Sequence, residues 1–584
     1  MRQFFKYVLA VIVGLLLCCL FFFVIGLGIV GALTRKEKIS VKPNSVIHAK
    51  FDSPIGEITK EDPFNKLSGK KDQLGLYDLF RTLEKAKTDD KIKGIFLDLQ
   101  GSDMRLATLE AVREKLHSFK ESGKFIIAYG ESLPQKTYYL SSVADKVYLN
   151  PSGLMEIKGF ASEVTFFKGT LDKLEIEPQI FYAGKYKSAT EPFRRTDMSE
   201  ENKVQIKELL DDFHKSFVEN IARDRKLTTD QVNDIIQNFK VRKVEDAQSL
   251  GLVDGIAFYD EVLAKVRENM GLGKEDKINL ISLDKYRKSF DLDGKYHKTK
   301  LALVTAEGDI VDGKGTDDNI GSEKYAKILR EIEEDENVKA VVLRVNSPGG
   351  SGLASDVMLR EIERIKQSGR PVIVSMGDLA ASGGYFISCN ADRIFAQKNS
   401  ITGSIGVFGM FATIDKFMND KLGITFDRVK TAPYADFMST LNRPLTSEEG
   451  VIIQNFINDF YDRFITKVAN GRRMEKDAVN EVAQGRVWSG RQAIEKGLVD
   501  EIGGIEEAIV YAVKQANLTD YRIKQYPVAK DKIQELLKEL SGEETTARAI
   551  QQELGAYYHL YKEATYWKNM YPVQTRMPFM LEVY

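Results

Sequence analysis

The chain repeats itself once, and that repeat limits the folds open to it more than any other feature. Asp89-Asp90-Lys91-Ile92-Lys93-Gly94-Ile95-Phe96-Leu97 recurs as Asp335-Glu336-Asn337-Val338-Lys339-Ala340-Val341-Val342-Leu343, and Ser122-Gly123-Lys124 as Ser368-Gly369-Arg370. After a slip of one residue, Ala144-Asp145-Lys146-Val147 matches Ala391-Asp392-Arg393-Ile394. Ala247 with Gly251-Leu252-Val253-Asp254 then returns as Ala493 with Gly497-Leu498-Val499-Asp500. A period near 246 residues is far above the roughly 20–50 of solenoid repeats and fits a duplicated domain.

Each copy alternates strand, loop and helix. Residues 339–345 form a short β-branched run, the pattern of a buried parallel strand. Residues 351–366 place Leu353, Val357, Leu359, Ile362 and Ile365 along one helical face, residues 371–375 (PVIVS) are the next strand, and a further helix opens at Gly383. This alternation predicts an α/β fold in two tandem domains. The expected division is an N-terminal anchor over 1–40, a first α/β repeat over 41–270 and a Lys- and Asp-rich linker over 271–300. A second repeat over 301–518 and a C-terminal helical tail over 519–584, charged and helical at 531–561, complete it.

Hydrophobic residues at 43% and charged residues at 29% of 584 are the proportions of a folded globular chain. Lys and Arg total 84 against 85 Asp and Glu, so no basic excess drives binding to nucleic acid, and none is expected as a partner. Of three cysteines, Cys18 and Cys19 lie in an apolar run and only Cys389 lies in the body, which excludes a disulfide framework and a cysteine-based zinc site. Residues 7–34 carry no charge. At about 1.5 Å per residue a helix of that length exceeds the ~30 Å hydrocarbon core of a bilayer. An uncleaved anchor is expected; the stretch is about twice the length of a signal-peptide apolar region, although Val30-Gly31-Ala32 resembles a cleavage site. Arg2 and Lys6 on one side nearly balance Arg35, Lys36 and Lys38 on the other, so flanking charge barely orients the span.

The copies differ most in two loops. After the strand at 339–345 comes Asn346-Ser347-Pro348-Gly349-Gly350-Ser351, where the first copy has Gln100-Gly101-Ser102-Asp103-Met104-Arg105. After residues 371–375 comes Met376-Gly377-Asp378-Leu379-Ala380-Ala381-Ser382-Gly383-Gly384-Tyr385, where the first copy has Gln135, Lys136 and Thr137 in place of Ser382 and the glycines. One reading is a tight turn that needs small side chains. The other is a site, because the scaffold evidently folds without these residues in the first copy. A serine between a strand and a helix presents its hydroxyl to a crevice. The Gly383 N–H, with that of Gly349 or Gly350, then converges on a carbonyl oxygen that becomes an oxyanion. Neither loop has a phosphate-binding pattern. The five histidines are His48, His117, His214, His297 and His559, so the second copy has none to activate a serine. A lysine kept neutral by burial is the usual substitute.

The two loops, followed by Thr402-Gly403-Ser404-Ile405-Gly406-Val407 and preceded in the first copy by Tyr186-Lys187-Ser188-Ala189-Thr190-Glu191-Pro192-Phe193, resemble the signal peptide peptidase A (protease IV) family in its long, duplicated form. The resemblance covers nearly everything from the anchor to about Leu518. It implies a crotonase/Clp-protease-like fold in each repeat and a serine endopeptidase with a Ser-Lys dyad. Ser382 would be the nucleophile, Lys187 the general base and Ser404 the residue that positions the lysine. Gly383 and Gly350 would supply the oxyanion N–H groups. It further implies a homotetramer held in a bacterial inner membrane by residues 7–34, with the catalytic body on the extracytoplasmic side, acting on hydrophobic signal peptides with no metal or organic cofactor. Where the first copy has Lys187 the second has Pro433-Tyr434-Ala435, so each copy lacks what the other keeps. Two alternatives stand beside this reading. A crotonase-type acyl-CoA enzyme would use the same oxyanion geometry without a nucleophilic serine. A non-catalytic peptide-binding membrane scaffold would need neither.

Overall fold

The computed structural model describes residues 2–34, 39–60, 72–292, 296–438, 442–528 and 574–577. The duplication is visible as two sheets of one plan. In the first, β1 (Ser45–Ala49), β2 (Ile92–Leu99), β3 (Phe125–Gly130), β4 (Lys146–Leu149), β6 (Gly255–Ile256) and β7 (Asn279–Ser282) lie in the order β6-β4-β3-β2-β1-β7, all parallel. In the second, β8 (Lys300–Glu307), β11 (Val338–Ser347), β13 (Val372–Ala381), β14 (Arg393–Ala396), β18 (Glu501–Ile502) and β19 (Arg522–Tyr526) repeat that order as β18-β14-β13-β11-β8-β19. Short strands β15 (Ile401–Gly403) and β17 (Val487–Ser489) extend the second sheet beside the C-terminal half of β13. Helices cover the sheets, and β2, β11 and β13 are buried almost throughout, which is why their sequences run apolar instead of alternating.

The recurring sequence blocks perform the same task twice. Tyr138 and Tyr385 donate to the carbonyls of Leu252 and Leu498, each at 2.9 Å. Asp254 accepts from the Val147 N–H at 2.9 Å and pairs with Arg225; Asp500 accepts from the Ile394 N–H at 2.8 Å and pairs with Arg472. The repeated Gly-Leu-Val-Asp therefore closes one strand edge of each sheet by satisfying backbone donors there.

A third sheet joins the copies: β9 (Asp309–Val311), β10 (Asn319–Gly321), β12 (Gly349–Ser351), β16 (Val407–Thr413), β20 (Gln574–Arg576) and, from the first copy, β5 (Glu177–Ala183), in the order β10-β9-β12-β20-β16-β5. Seven residues of β5 pair antiparallel with β16. Two polar links reinforce the junction. Arg344 forms a two-pronged pair with Glu57 at 2.8 and 2.9 Å, and Thr108 binds both carboxylate oxygens of Asp378.

Several expectations shift. The strand expected over 371–375 continues to Ala381, because residues 379–381 gain β15 as a partner. Within 271–300, read as a linker, β7 completes the first sheet and Leu283–Arg287 is a short helix. Beyond 518, β19 belongs to the second sheet. The helix expected over 531–561 lies outside the described residues. A helix runs over Arg2–Thr34, but its side chains are described only as far as Phe21, and among the described residues no helix is long and apolar enough to cross a membrane. The anchor over 7–34 is therefore not shown.

Candidate active site

β13 ends at Ala381, and the helix Gly383–Phe386 begins immediately after Ser382. The turn is so abrupt that Ser382 adopts φ 56° and ψ −114°. Such a conformation suits glycine and costs a residue with a Cβ about 1–3 kcal/mol. Ser382 is held in it by the parallel pairing of β13 with β15 and by a 2.8 Å bond from its own N–H to the Gly403 carbonyl. Ser382→Gly is therefore expected to be more stable than Ser382→Ala by about 1 kcal/mol. Denaturant unfolding of the two variants measures this, and equal midpoints would show that the turn stores no strain.

Lys187 reaches Ser382 from 195 positions earlier in the chain. β5 delivers it: the strand crosses onto β16, and the loop after it packs on residues 484–486. Tyr186 N–H donates to the Gln484 carbonyl at 2.8 Å, and a Cβ on Gly485 would lie 2.7 Å from the Lys187 backbone nitrogen, so only glycine lets the two loops approach. The same 484–486 loop holds the third residue, because Ser404 N–H donates to the Arg486 carbonyl at 2.6 Å. One loop thus sets the spacing between Lys187 and Ser404. Below it, Gln205 donates to the Tyr186 carbonyl and to Ser188 Oγ, while Asn202 donates to Glu191. These contacts explain the polar residues of the Tyr186–Phe193 motif. Gln205 and residues 484–486 had no sequence signal, since nothing local marks a glutamine on a helix or a loop 300 positions away.

The site brings together the residues singled out in the sequence. Lys187 Nζ lies 2.9 Å from Ser382 Oγ, 2.9 Å from Ser404 Oγ and 3.2 Å from the Ser404 carbonyl oxygen. It also bonds to the carbonyl of Arg576. Lys187, Ser382 and Ser404 are essentially inaccessible to solvent. Burial holds the Lys187 amine well below the ordinary lysine range, since desolvation penalises the charged form. A neutral amine offers two N–H groups and one lone pair. The carbonyls of Ser404 and Arg576 can only accept, so they take the N–H groups and leave the lone pair to a serine hydroxyl.

The glycine loops close the other side. Gly349 N–H is already committed, donating to Ser347 Oγ at 3.1 Å. A Cβ on Gly349 would lie 2.7 Å from the Gly383 nitrogen, which places the two loops side by side. Gly349 and Gly350 have φ of 101° and 154°. Three of the four described histidines have partners elsewhere: His48 pairs with Asp98 at 2.8 Å, His117 with Asp224 at 3.2 Å, and His214 bonds Asn233 at 2.9 Å; the fourth, His297, is not among the hydrogen-bond partners of Lys187 or Ser382. At the matching place in the first copy, Gln135 bonds the backbone of Lys158 and Gly159, a structural use of the position. Pro433-Tyr434-Ala435 lies in an exposed turn away from any such cluster.

Among known proteins, residues 118–273 and 364–519 each match Peptidase family S49. Protease 4 of Haemophilus influenzae is 39% identical over 471 residues, covering 78% of this chain and 76% of that one. Protease 4 of Salmonella typhi is 34% identical over 79% of this chain and 75% of its own. A chloroplastic serine protease, SPPA, of Arabidopsis thaliana is 34% identical over 76% and 66%. A point mutant of ClpP1 from Listeria monocytogenes aligns at 18% identity over 35% of this chain and 94% of that chain, with a TM-score of 0.25, too low to carry a fold assignment. The two family matches fall one on each copy, so the tandem duplication is a duplication of one peptidase domain. This chain belongs to peptidase family S49 and is a serine protease of the protease 4 type.

Proposed function

We propose that the chain is a membrane-anchored endopeptidase that cleaves hydrophobic peptides of the signal-peptide class with a Ser382–Lys187 dyad. The contact that carries this reading is the 2.9 Å approach of a buried lysine amine to a strained serine hydroxyl, with none of the described histidines beside it. Ser382 Oγ attacks the substrate carbonyl carbon while its proton passes to Lys187 Nζ. The oxyanion of the tetrahedral intermediate accepts the N–H groups of Gly383 and Gly350 in this reading, the Gly349 N–H being used by Ser347. The ammonium gives its proton to the leaving amine as the peptide C–N bond breaks, leaving an acyl-serine. Water then attacks the ester, Lys187 takes its proton, and Ser382 recovers a proton as the acid leaves. Ser404 acts through Lys187, its carbonyl taking one N–H of the amine so that the lone pair is left for the Ser382 hydroxyl. An acyl-CoA enzyme would have no use for this pairing, and a scaffold would have no reason to retain it.

The substrate class and the setting rest on the family resemblance and on the N-terminal segment. Along the helix Arg2–Thr34 the consecutive residues Leu15, Leu16 and Leu17 are all exposed, so this part of the helix shows no polar face. That supports an anchor over 7–34 in a bacterial inner membrane, with the body on the extracytoplasmic side. Exposed Leu422, Ile424, Phe426 and Val429 on one segment of the second copy support assembly of several copies, a homotetramer in this reading. The test is hydrolysis by the chain lacking residues 1–40. A synthetic signal peptide should be cleaved with kcat/KM at least about tenfold above that for a charged peptide of equal length, a difference of about 1.4 kcal/mol in transition-state binding. Equal rates would remove the substrate class.

A further inference from the structure

We propose that Arg486 is a positioning residue for both members of the dyad: its guanidinium clamps the Lys187 loop of one copy to the Ser382 and Ser404 turns of the other and keeps water from the Lys187 amine. The proposal rests on the dyad reading above and extends it to what holds the two halves together. The guanidinium lies over the Tyr186 ring at 4.9 Å and over the Trp488 indole at 4.2 Å, and it pairs with Glu208 on the helix Glu200–Arg225. Arg486 Nε is buried and makes no hydrogen bond. A guanidinium is rigid, planar and weakly hydrated, so it can serve two rings and a carboxylate at once.

Each ring belongs to a different member of the dyad. Tyr186 immediately precedes Lys187. Trp488 is buried on β17 and packs against Gly403, where a Cβ would lie 2.8 Å from the indole. The Gly403 carbonyl accepts the Ser382 N–H at 2.8 Å, and the next residue, Ser404, donates its N–H to the Arg486 carbonyl at 2.6 Å. The Arg486 backbone therefore fixes Ser404, its side chain fixes Tyr186, and Trp488 carries the contact on to the turn that holds Ser382. Gln205 links the same two loops a second time, donating to the Tyr186 carbonyl at 3.2 Å and accepting the Val487 N–H at 3.3 Å.

The duplication supplies a control. Counting from the shared Ala247 and Ala493, Gly485-Arg486-Val487-Trp488 stands where the first copy has Phe239-Lys240-Val241-Arg242. The backbone turns alike in both, with φ 76° at Gly485 and 45° at Phe239. Phe239 is exposed, Lys240 pairs with Asp234, and Arg242 Nε donates to the Phe239 carbonyl at 3.2 Å. The turn thus folds without the stack, and the stack is confined to the copy that carries the nucleophile.

The charged side chains on the elements packed around Lys187 have their own partners. Arg486 pairs with Glu208, Glu191 is held by Ser199 and Asn202, Arg576 lies 3.6 Å from Asp309, and exposed Lys185 lies over the Tyr186 ring. What lowers the Lys187 amine is burial alone. A loop that loosens and admits water therefore returns the amine toward the ordinary lysine range.

The experiment uses the full chain and reads peptide hydrolysis, and fluorophosphonate labelling of Ser382, against pH. Arg486→Ala should lower kcat about 10²-fold, the cost of misplacing reacting groups by about 1 Å, with KM within about twofold of the parent. It should also move the acid limb of kcat and of labelling upward by about one pH unit or more, as Lys187 regains water. A purely structural role would lower the amplitude at every pH and leave the limb in place. Tyr186→Leu, at a half-buried position, should reproduce both effects and decides alone if Arg486→Ala does not fold. Tyr186→Phe, which keeps the ring and removes only a hydroxyl 3.5 Å from the guanidinium, should restore most of the rate. In the double variant the two losses should not add, because each breaks the same contact. An unmoved limb in the single variants, or fully additive losses, overturns the proposal while an inactive Ser382→Ala leaves the dyad standing. If instead Lys187→Met keeps the parent rate, the dyad reading falls and the clamp with it.

Discussion

Alanine at position 382 lowers kcat for peptide hydrolysis by about 10⁴-fold or more, the size of effect seen when a nucleophile is removed from a unit that works jointly. The fold is expected to survive. Alanine keeps the Cβ, so the backbone strain at φ 56° is unchanged, and Lys187 retains both atoms of Ser404 as partners. Circular dichroism and the unfolding midpoint should therefore match the parent while turnover vanishes. Residual activity within about tenfold of the parent would mean that Ser382 is a turn residue and that bond cleavage uses another group. Oxyanion stabilisation alone leaves a small background rate above water, so the comparison is with the uncatalysed reaction as well as with the parent.

Lys187→Arg is nearly as inactive as Lys187→Ala. A guanidinium stays protonated at any pH the protein tolerates, so it cannot take the serine proton. It would also bring a fixed charge into a site where burial already disfavours the ammonium, so Lys187→Arg should unfold more easily than the parent. Lys187→Met separates the two effects: it keeps the length and the apolar stem, folds as well as the parent, and hydrolyses nothing. The pH dependence has a definite sign. The amine is a base only when unprotonated, and its folded pKa is depressed, so activity is present above that lowered value and disappears as pH falls through it. Stability follows the same direction. Between that lowered value and the ordinary lysine pKa the unfolded chain binds a proton that the folded chain refuses, so across this window the group makes the fold gain stability as pH rises. Lys187→Met should lose that slope. A parent-like rate in Lys187→Arg, or full activity from either copy expressed alone, would place the base elsewhere.

The duplication, the α/β character and the position of the serine were legible in the sequence, for a physical reason. Strands buried on both faces and helices with one apolar side leave periodic traces within ten residues, and the repeat of Ala144–Val147 and Gly251–Asp254 in both halves reflects backbone donors that must be satisfied twice. The complementary loss of Ser382 from one copy and Lys187 from the other was legible because two versions of one scaffold could be compared inside a single chain. The tertiary structure decided the rest. That β5 leaves its own copy to pair with β16, that a glycine at 485 admits the Lys187 loop, and that Gln205 braces it from a distant helix are matters of long-range contact with no local pattern. β20 is three residues long, too short to show any period, and it counts as a strand only because β12 and β16 present open edges to it. The particular contacts that bury Lys187 had no local signal for the same reason. A lysine in a chain of 584 residues is an ordinary cation until the fold removes its water, and that removal is done by residues drawn from both copies and from the C-terminal end.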